Sequence, residues 1–397
     1  MKKRILLSGA VAVLLASILV ACVGGSFFPG GAVAYPTVPK FVVAVDGSNN
    51  GGSNFRKGNV ANSSVNVFPV NATTGVLGAA VTGSPFDLGV TDAMTMAVHP
   101  NGHFVYAADG GDGSIHAWDV NETTGVPTQI ATPIINESGT FYEPCCGVGD
   151  APTHVITITP NGSFLYSANN DATVGAYKIN TDGSLAHIAD LNVGACDTGA
   201  ITANDSYVWV TDSCGFQGPW NVWTLKIGAT GALTNTSSVV LTGVDAWLWS
   251  IQINPVAKFI YVGDEGGGAQ IFSFSVAVDG SLTQLGPQLV ENNSSDVRDI
   301  SHSPDGKFFY TTDDDGVVHV LSVDTITGAI TELAASPYPG GAGQIVVDLT
   351  GSFVYMGDQE NTGQIIGYTR DMTTGALTLI GNTTTASGAA RAIAIIR

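Results

Sequence analysis

The chain has 397 residues, of which only 12% are charged, and it contains 50 glycines. This composition is typical of a protein built from strands and turns, with little amphipathic helix. The formal net charge of −19 disfavours nucleic acids, anionic lipid surfaces and polyphosphorylated substrates as partners.

Residues 1–22 form a candidate secretory signal. A basic start at residues 2–4 precedes an apolar stretch at residues 5–20, and small residues lead to Cys22. The segment 19–22 resembles the lipobox of bacterial lipoproteins, which implies that Cys22 becomes the lipidated first residue of the mature protein. An uncleaved membrane anchor is the alternative, because the apolar run has about the minimal length of a membrane span.

The uncharged residues 23–38 predict a short linker, and residues 39–397 predict a single domain. We expect this domain to be held in the cell envelope by the lipid alone, and otherwise to be soluble and monomeric. Val23 follows the lipidated cysteine where some lipoproteins carry Asp. By resemblance to known sorting rules, that favours the periplasmic face of an outer membrane or the cell surface.

A short turn centred on glycine recurs seven times, at spacings of 47 to 58 residues. Each copy contains Thr-Gly or Asp-Gly and usually has Leu two residues after the glycine. The seven glycines are Gly75, Gly125, Gly183, Gly231, Gly280, Gly328 and Gly375. A period of about 50 residues in a strand-rich chain predicts a β-propeller with one blade per repeat.

A second repeat keeps phase with the first. In each copy an apolar or aromatic residue is followed, three positions later, by Asp or Asn. The pairs are Val43/Asp46, Tyr106/Asp109, Tyr166/Asn169, Trp209/Asp212, Tyr261/Asp264, Tyr310/Asp313 and Tyr355/Asp358. Pro-x-Gly turns precede several of these strands, so each repeat predicts four short antiparallel strands. The predicted fold class is all-β, a seven-bladed β-propeller.

The two ends of the domain predict how the ring closes. Residues 40–46 are expected to form the second strand of a blade, and residues 391–396 an inner strand without a blade of its own. Pairing these two strands would close the ring and remove the two open edges that otherwise invite aggregation.

The Pro-x-Gly, Tyr-x-Ala-Asn and Thr-Gly-x-Leu pattern resembles the seven-bladed lactonase propeller family. That family includes 6-phosphogluconolactonase-like and carboxymuconate-cyclase-like proteins, and the pattern is also similar to surface proteins built on Tyr-Val-Thr-Asn repeats. Segments 166–177 and 303–310 carry the resemblance most clearly, and it extends over nearly all of residues 40–397. It implies hydrolysis of a lactone at the mouth of the central channel.

One position at the start of each inner strand should face the channel mouth, where the loops between blades gather. The residues there are Met94, His154, Asp197, Trp249, Arg298, Gly343 and, on the closing strand, Arg391. His154 is a candidate base for water, with Asp197 as its orienter or as a second base. Arg298 and Arg391 are candidate cations for a carboxylate or a developing oxyanion.

The lactonase family often carries Pro-Arg-His at this position, whereas this chain keeps only parts of that element, at residues 152–154 and 297–299. A structural alternative therefore stays open. In it, Arg298 pairs with Asp296 or Asp299, and His154 is simply hydrogen-bonded at the channel mouth.

Aromatic residues gather at the same predicted face. The candidates for binding a sugar-like or aromatic ligand are Trp220, Trp247, Trp249, Tyr142 and Glu143. Core packing is the alternative for Trp249. The Asp and Asn residues of the second repeat are expected to cap turns through their own backbone. The acidic runs 109–113 and 313–316 lack the ligand spacing of a calcium loop, so we predict no metal and no cofactor.

Four further cysteines lie in predicted loops of that face: Cys145, Cys146, Cys196 and Cys214. Export to an oxidising compartment favours disulfides, and the strand order predicts a Cys196–Cys214 pair. The four cysteines allow three pairings, and Cys145 and Cys146 could be a vicinal pair, free thiols or partners of the other two.

Two functions remain open on the sequence alone. The first is an envelope-anchored lactonase-type hydrolase of a lactone or sugar acid. The second is a non-catalytic surface propeller that binds a small molecule, a glycan or another envelope protein.

Overall fold

The computed structural model describes residues 38–46, 63–90, 93–109, 113–135, 155–169, 171–194, 197–212, 218, 220–244, 247–256, 258–265, 268–286, 289–290, 296–358, 363–384 and 390–397. These residues form thirty β-strands and no α-helix. Within them, no helix has the length and apolarity needed to cross a membrane. The strands group into seven antiparallel sheets, which confirms the predicted all-β propeller.

Blades two to four follow one another along the chain, and each runs from an inner to an outer strand. Blade two comprises β3 (Ala93–Val98), β4 (Phe104–Asp109), β5 (Ser114–Val120) and β6 (Pro127–Gln129), with β7 (Ile134–Ile135) also pairing with β5. Blade three comprises β8 (Ile156–Ile158), β9 (Phe164–Ala168), β10 (Thr173–Ile179) and β11 (Leu185–Asn192). Blade four comprises β12 (Thr198–Ala203), β13 (Tyr207–Asp212), β14 (Trp220–Ile227) and β15 (Leu233–Leu241).

Blades five to seven repeat this order. Blade five comprises β16 (Trp247–Ile253), β17 (Phe259–Glu265), β18 (Gln270–Val276) and β19 (Leu282–Gln284), with β20 (Leu289–Val290) on β18. Blade six comprises β21 (Asp299–His302), β22 (Phe308–Thr312), β23 (Val317–Val323) and β24 (Ile330–Glu332), with β25 (Tyr338–Pro339) on β23. Blade seven comprises β26 (Ile345–Val347), β27 (Phe353–Gly357), β28 (Gln364–Arg370) and β29 (Leu377–Thr384).

Blade one is assembled from both ends of the domain. Its strands are β30 (Ala390–Ile396), β1 (Phe41–Asp46) and β2 (Val65–Pro69). Isolated bridges hold its outer edge, from Phe86 to Val65 in β2 and from Leu77 to Val70 just after β2. Strand β1 pairs antiparallel with β30, with Val43 opposite Ala394. The inner strands β30, β3, β8, β12, β16, β21 and β26 contact one another in sequence around the ring. The predicted closure by the last strand is confirmed.

The two sequence repeats contact each other between neighbouring blades. In six cases the aromatic residue of a second strand donates a hydrogen bond to the carbonyl of the repeated glycine in the next blade, at 2.6–3.1 Å. The pairs are Tyr106–Gly183, Tyr166–Gly231, Trp209–Gly280, Tyr261–Gly328, Tyr310–Gly375 and Tyr355–Gly75. We call this contact the inter-blade latch. Its last copy joins blade seven to blade one.

The latch also explains why the turn residue is glycine. Gly231 has a φ of +88°, which L side chains rarely adopt, and an added Cβ would lie 2.4 Å from the Phe164 ring. The other six turn glycines meet an aromatic ring at the same place, at 2.4–3.0 Å. A side chain at these positions would push neighbouring blades apart.

Asp264 and Asp313, at the ends of the second strands of blades five and six, are buried and cap the following loop. Asp313 accepts a hydrogen bond from the Val317 amide at 3.0 Å, and Asp264 accepts one from the Gln270 amide at 3.4 Å. Both carboxylates are fully buried. The turn-capping role predicted for these residues is confirmed at both positions.

Candidate functional site

Arg298 lies immediately before β21, where the chain enters the inner strand of blade six. The backbone holds it there, because the Arg298 amide donates to the Thr312 carbonyl at 2.8 Å. The side chain is only 2% exposed. Its Nε lies 3.6 Å from the Asp296 carboxylate and forms a second ion pair with Asp314. The guanidinium carbon lies 4.4 Å from the centroid of the Trp249 ring, a cation–π distance.

These four residues form the charged cluster at one mouth of the channel. We call Trp249, Asp296, Arg298 and Asp314 the Arg298 cluster. The Asp314 amide donates to the Asp296 carboxylate at 2.9 Å, so the loop after β22 and the segment before β21 hold each other in place. Asp314 keeps 35% of its side chain exposed, and the cluster therefore reaches the solvent.

Asp296 is the most perturbed acid of this cluster. Burial raises the pKa of its carboxyl well above the usual range, and the nearby charge of Asp314 raises it further, while Arg298 opposes the rise. Two carboxylates around one guanidinium favour a state in which one carboxyl keeps its proton. The cluster can thus hold a proton near a cation, which is chemistry that active sites use.

On the sequence alone, both Asp296 and Asp299 are possible ion-pair partners of Arg298. Their positions relative to β21 decide which of them pairs with it. Asp296 lies within ion-pair distance, as one alternative proposed. The Asp299 carboxylate instead accepts hydrogen bonds from the amides of Ile300 at 2.7 Å and Ile345 at 2.8 Å, which ties blade six to blade seven. The sequence does not predict Asp314 as a partner, because the acidic run at 313–316 resembles an incomplete calcium loop and carries no signal of contact with Arg298.

The other predicted polar residues lie at the starts of other inner strands. Asp197 is half-buried next to β12 in blade four, and burial together with the charge of Asp171 raises the pKa of its carboxyl. Arg391 is half-buried on β30 in blade one, and its carbonyl accepts from the Gln344 amide at 3.0 Å. Arg298, Asp197 and Arg391 thus share one end of the channel on different blades. Their catalytic roles stay predictions.

Among the predicted aromatic residues, Trp249 belongs to the Arg298 cluster and Trp247 packs beside it. Trp249 is 2% exposed with Arg298 over its ring, and the ring of Trp247 lies 6.2 Å away. Trp220 begins β14 and is half-buried. Trp249 therefore braces Arg298 in this structure, and ligand contact by these tryptophans remains a prediction.

Several sequence predictions fall on residues outside the described ranges. They are His154, Tyr142, Glu143, Cys22, Cys196 and Cys214, together with Cys145 and Cys146. Within the described ranges, no group of three or more His, Cys, Asp or Glu side chains is arranged to hold a metal ion.

The closed ring with its charged mouth defines the class of this chain as a seven-bladed β-propeller. A family model described as lactonase, 7-bladed β-propeller, matches residues 220–347, and one described as WD domain, G-beta repeat, matches residues 89–119. None of the curated proteins matches the chain.

Solved structures share the fold over almost the whole chain. A candidate 6-phosphogluconolactonase from Bacteroides uniformis has 17% identity and a TM-score of 0.69, covering 90% of this chain and 100% of its own. One from Bacteroides fragilis has 18% identity and a TM-score of 0.69, covering 92% and 100%. The periplasmic gluconolactonase PpgL from Pseudomonas aeruginosa has 14% identity and a TM-score of 0.67, covering 90% and 99%. The chain therefore shares the seven-bladed propeller fold of these proteins, and its residues 220–347 are similar to the lactonase family model.

Proposed function

We propose that the protein is a lactonase-type hydrolase that opens a lactone of a sugar acid at the channel mouth formed by the Arg298 cluster. The observation that carries this proposal is a buried arginine shared by two carboxylates, one of which has a raised pKa, in a lactonase-like propeller. Three similar solved structures bear gluconolactonase names, which supports the same reaction class. The partner is a small molecule, and the protein acts as a monomer.

In the proposed reaction, the oxygen of a water molecule attacks the lactone carbonyl carbon. His154 takes the proton from this water and Asp197 orients His154. Arg298 and Arg391 stabilise the negative charge that develops on the carbonyl oxygen. The ring C–O bond then breaks, the proton passes to the departing oxygen, and the product is a hydroxy acid.

The other residues at this channel mouth are proposed to hold the substrate and the Arg298 guanidinium in place. Trp249 and Asp314 hold the Arg298 guanidinium in place, as their contacts with it indicate. Trp220, Trp247, Tyr142 and Glu143 are proposed to contact the hydroxylated ring of the substrate, since an aromatic face packs on a sugar ring while polar atoms bind its hydroxyls.

The test is turnover of a panel of γ- and δ-lactones of sugar acids, with and without a phosphate, followed by acid release with a pH indicator. Arg298→Met keeps the length of the side chain and removes its charge. For any lactone that the wild type hydrolyses, we expect Arg298→Met to lower kcat/KM roughly 100-fold, because a donor to the oxyanion is lost. His154→Ala should cause a comparable loss in kcat.

Lys307→Met is the matched control, because Lys307 is an exposed cation in a turn at the opposite end of blade six. Its kcat/KM should stay close to that of the wild type. Arg298→Met leaves two acids without their cation and could unfold, so His154→Ala provides an independent reading. Unchanged turnover in His154→Ala and in a folded Arg298→Met would refute the proposed site. Tight binding of a lactone without any acid release would refute hydrolysis itself.

We further propose that Cys22 anchors the protein to an envelope membrane through a lipid. The support is the basic start, the apolar run and the lipobox-like end of residues 1–22, together with the similarity to a periplasmic gluconolactonase. Cys22→Ala should lose incorporation of labelled palmitate. Cys196→Ala is the control, because it removes a cysteine outside the signal. Equal labelling of wild type and Cys22→Ala would exclude this anchor.

A further inference from the structure

A cavity of about 180 Å³ lies at the channel mouth opposite the Arg298 cluster. It opens between the last residues of β26, β30 and β3, the inner strands of blades seven, one and two. Its walls are mainly apolar and include Met96, Val98, Val347, Ile393 and Ile395. The volume equals that of about six water molecules, which suits a small organic molecule.

The Gln344 side chain fixes two walls of this cavity. Its Nε2 donates to the Met96 carbonyl at 3.1 Å. Its Oε1 accepts from the amides of Met96 at 3.3 Å and Ile393 at 3.2 Å. Because one buried side chain ties β3 and β30 to blade seven, the cavity is a preformed part of the ring.

Arg397 is the charged residue that stands out in this cavity. It lines the apolar space and is 8% exposed. The side-chain bond that the structure shows for it runs from a terminal guanidinium nitrogen to the His99 carbonyl, at 3.4 Å. Among the described residues, no carboxylate forms an ion pair with Arg397, and this contrasts with Arg298, which has two.

The carboxylate that shares the cavity with Arg397 is held by other hydrogen bonds. Asp348 also lines the cavity, but its oxygens accept from the amides of Thr350 at 2.9 Å and Phe353 at 2.6 Å and from the Thr350 hydroxyl. Burial lowers the pKa of the Arg397 guanidinium to about 10, so it stays charged at neutral pH. The His99 ring donates to the Gly162 carbonyl and accepts from the Asn101 amide, and burial lowers its pKa, which favours the neutral ring.

A buried cation without an ion-pair partner is costly, and a bound anion would offset that cost. The guanidinium fork matches the two oxygens of a carboxylate, while apolar walls match a short hydrocarbon body. We propose that this cavity is a second ligand site that binds a small branched or linear monocarboxylate, with Arg397 pairing with the carboxylate. The site is separate from the lactonase function proposed for the opposite mouth and does not depend on it.

Calorimetric titration of the purified chain with 3-methylbutanoate tests the proposal. We expect wild type to bind this acid at least tenfold more tightly than 3-methylbutan-1-ol, which has the same body without the charge. Arg397→Met should lose roughly 10- to 100-fold in affinity, the range of a charge-assisted hydrogen bond. Arg397→Lys keeps the charge but lacks the fork of donors. Its affinity for 3-methylbutanoate should therefore lie between those of the wild type and Arg397→Met.

Lys307→Met is the control, because it removes the same charge from an exposed turn at the same end of the propeller. It should bind 3-methylbutanoate like the wild type. The proposal is overturned if wild type shows no binding up to about 20 mM, or if Arg397→Met binds equally well. It is also overturned if the alcohol or inorganic phosphate binds as tightly as the acid. Lactone turnover should be unchanged in Arg397→Met, which separates this site from the first.

Discussion

His302, the last residue of β21, illustrates how a single side chain couples this fold to pH. Both of its ring nitrogens are buried, and the ring packs on Tyr261 at 5.5 Å and Phe309 at 5.3 Å between centroids. Burial lowers the pKa of His302 to about 3, and the backbone groups of Gln252 and Phe308 offset this only in part. The folded protein therefore holds His302 neutral.

We expect this histidine to make the fold less stable in weak acid. Between the pKa of about 3 in the folded state and the ordinary value of 6.5, the unfolded chain binds one more proton than the folded protein. The contribution of the neutral His302 to the free energy of unfolding is intact above pH 6.5. It declines as the pH falls towards 3, by roughly 2 kcal/mol at pH 5. Urea unfolding at pH 7.5 and pH 5 measures the difference.

His302→Leu cannot be protonated and should show a smaller loss of unfolding free energy between these two pH values. His103→Leu, at a partly exposed histidine, should lose as much as the wild type. An identical pH dependence in wild type and His302→Leu would contradict this account.

The partners of Arg298 depend on the fold more than on the local sequence. The repeat marked Arg298 as a channel-mouth residue, and its position in the chain made Asp296 and Asp299 its natural partners. Only the folded structure shows that Asp299 accepts from the Ile345 amide of the next blade. It also shows that Asp314, from a loop sixteen residues further on, pairs with Arg298. The sequence does not predict the burial of Arg397, because a last residue in a strand pattern carries no signal of burial.

At the scale of single elements, the inter-blade latch turns two separate sequence repeats into one contact. The sequence predicted the turns and the aromatic strands, since both follow local rules of glycine conformation and strand alternation. It did not predict that they meet, because the contact joins residues about 65 to 77 positions apart, or 280 for the copy at Gly75. Blade one has Val43 in place of the aromatic residue, so this interface lacks the latch hydrogen bond.

Removing one latch should cost measurable stability. Tyr166 is fully buried and donates to the Gly231 carbonyl at 3.0 Å. Tyr166→Phe leaves that carbonyl buried without its donor, and we expect a loss of about 1–3 kcal/mol in the free energy of unfolding. Denaturation in urea at neutral pH provides the measurement.

The next blade supplies a matched comparison. The Tyr207 hydroxyl donates to the Val278 carbonyl at 3.4 Å in an exposed setting, where water can replace it. Tyr207→Phe should therefore change stability by less than about 0.5 kcal/mol. Equal losses in the two variants would mean that the latch hydrogen bond contributes nothing beyond packing.

At the scale of the whole molecule, stability depends on closing the ring. Strand β30 supplies the inner strand of blade one, and Ile393 and Ile396 are fully buried there. Residues 390–397 are thus part of the core, as the pairing with β1 requires.

Deleting residues 390–397 should abolish the folded monomer. The deletion exposes an edge of β1 and the apolar inner faces of blades seven and two, so we expect aggregation or loss of cooperative unfolding. Size-exclusion chromatography and thermal unfolding would show this. An eight-residue Gly-Ser extension after residue 397 is the control for altering this end of the chain. A truncated protein that stays monomeric and melts near the wild-type Tm would disprove the closure argument.

Because β30 closes the ring, closure has to wait until β30 has been synthesised. The N-terminal strand β1 leaves the ribosome first, yet it lacks its inner partner until residues 390–396 have been made. Every intermediate length of the chain is an open arc with an unpaired edge. In a chain that carries the export signal proposed for residues 1–22, a finished ring could not form early and block passage through a translocation pore. The late synthesis of β30 would thereby keep the ring open, so that the chain can pass through the pore before it folds in its final compartment.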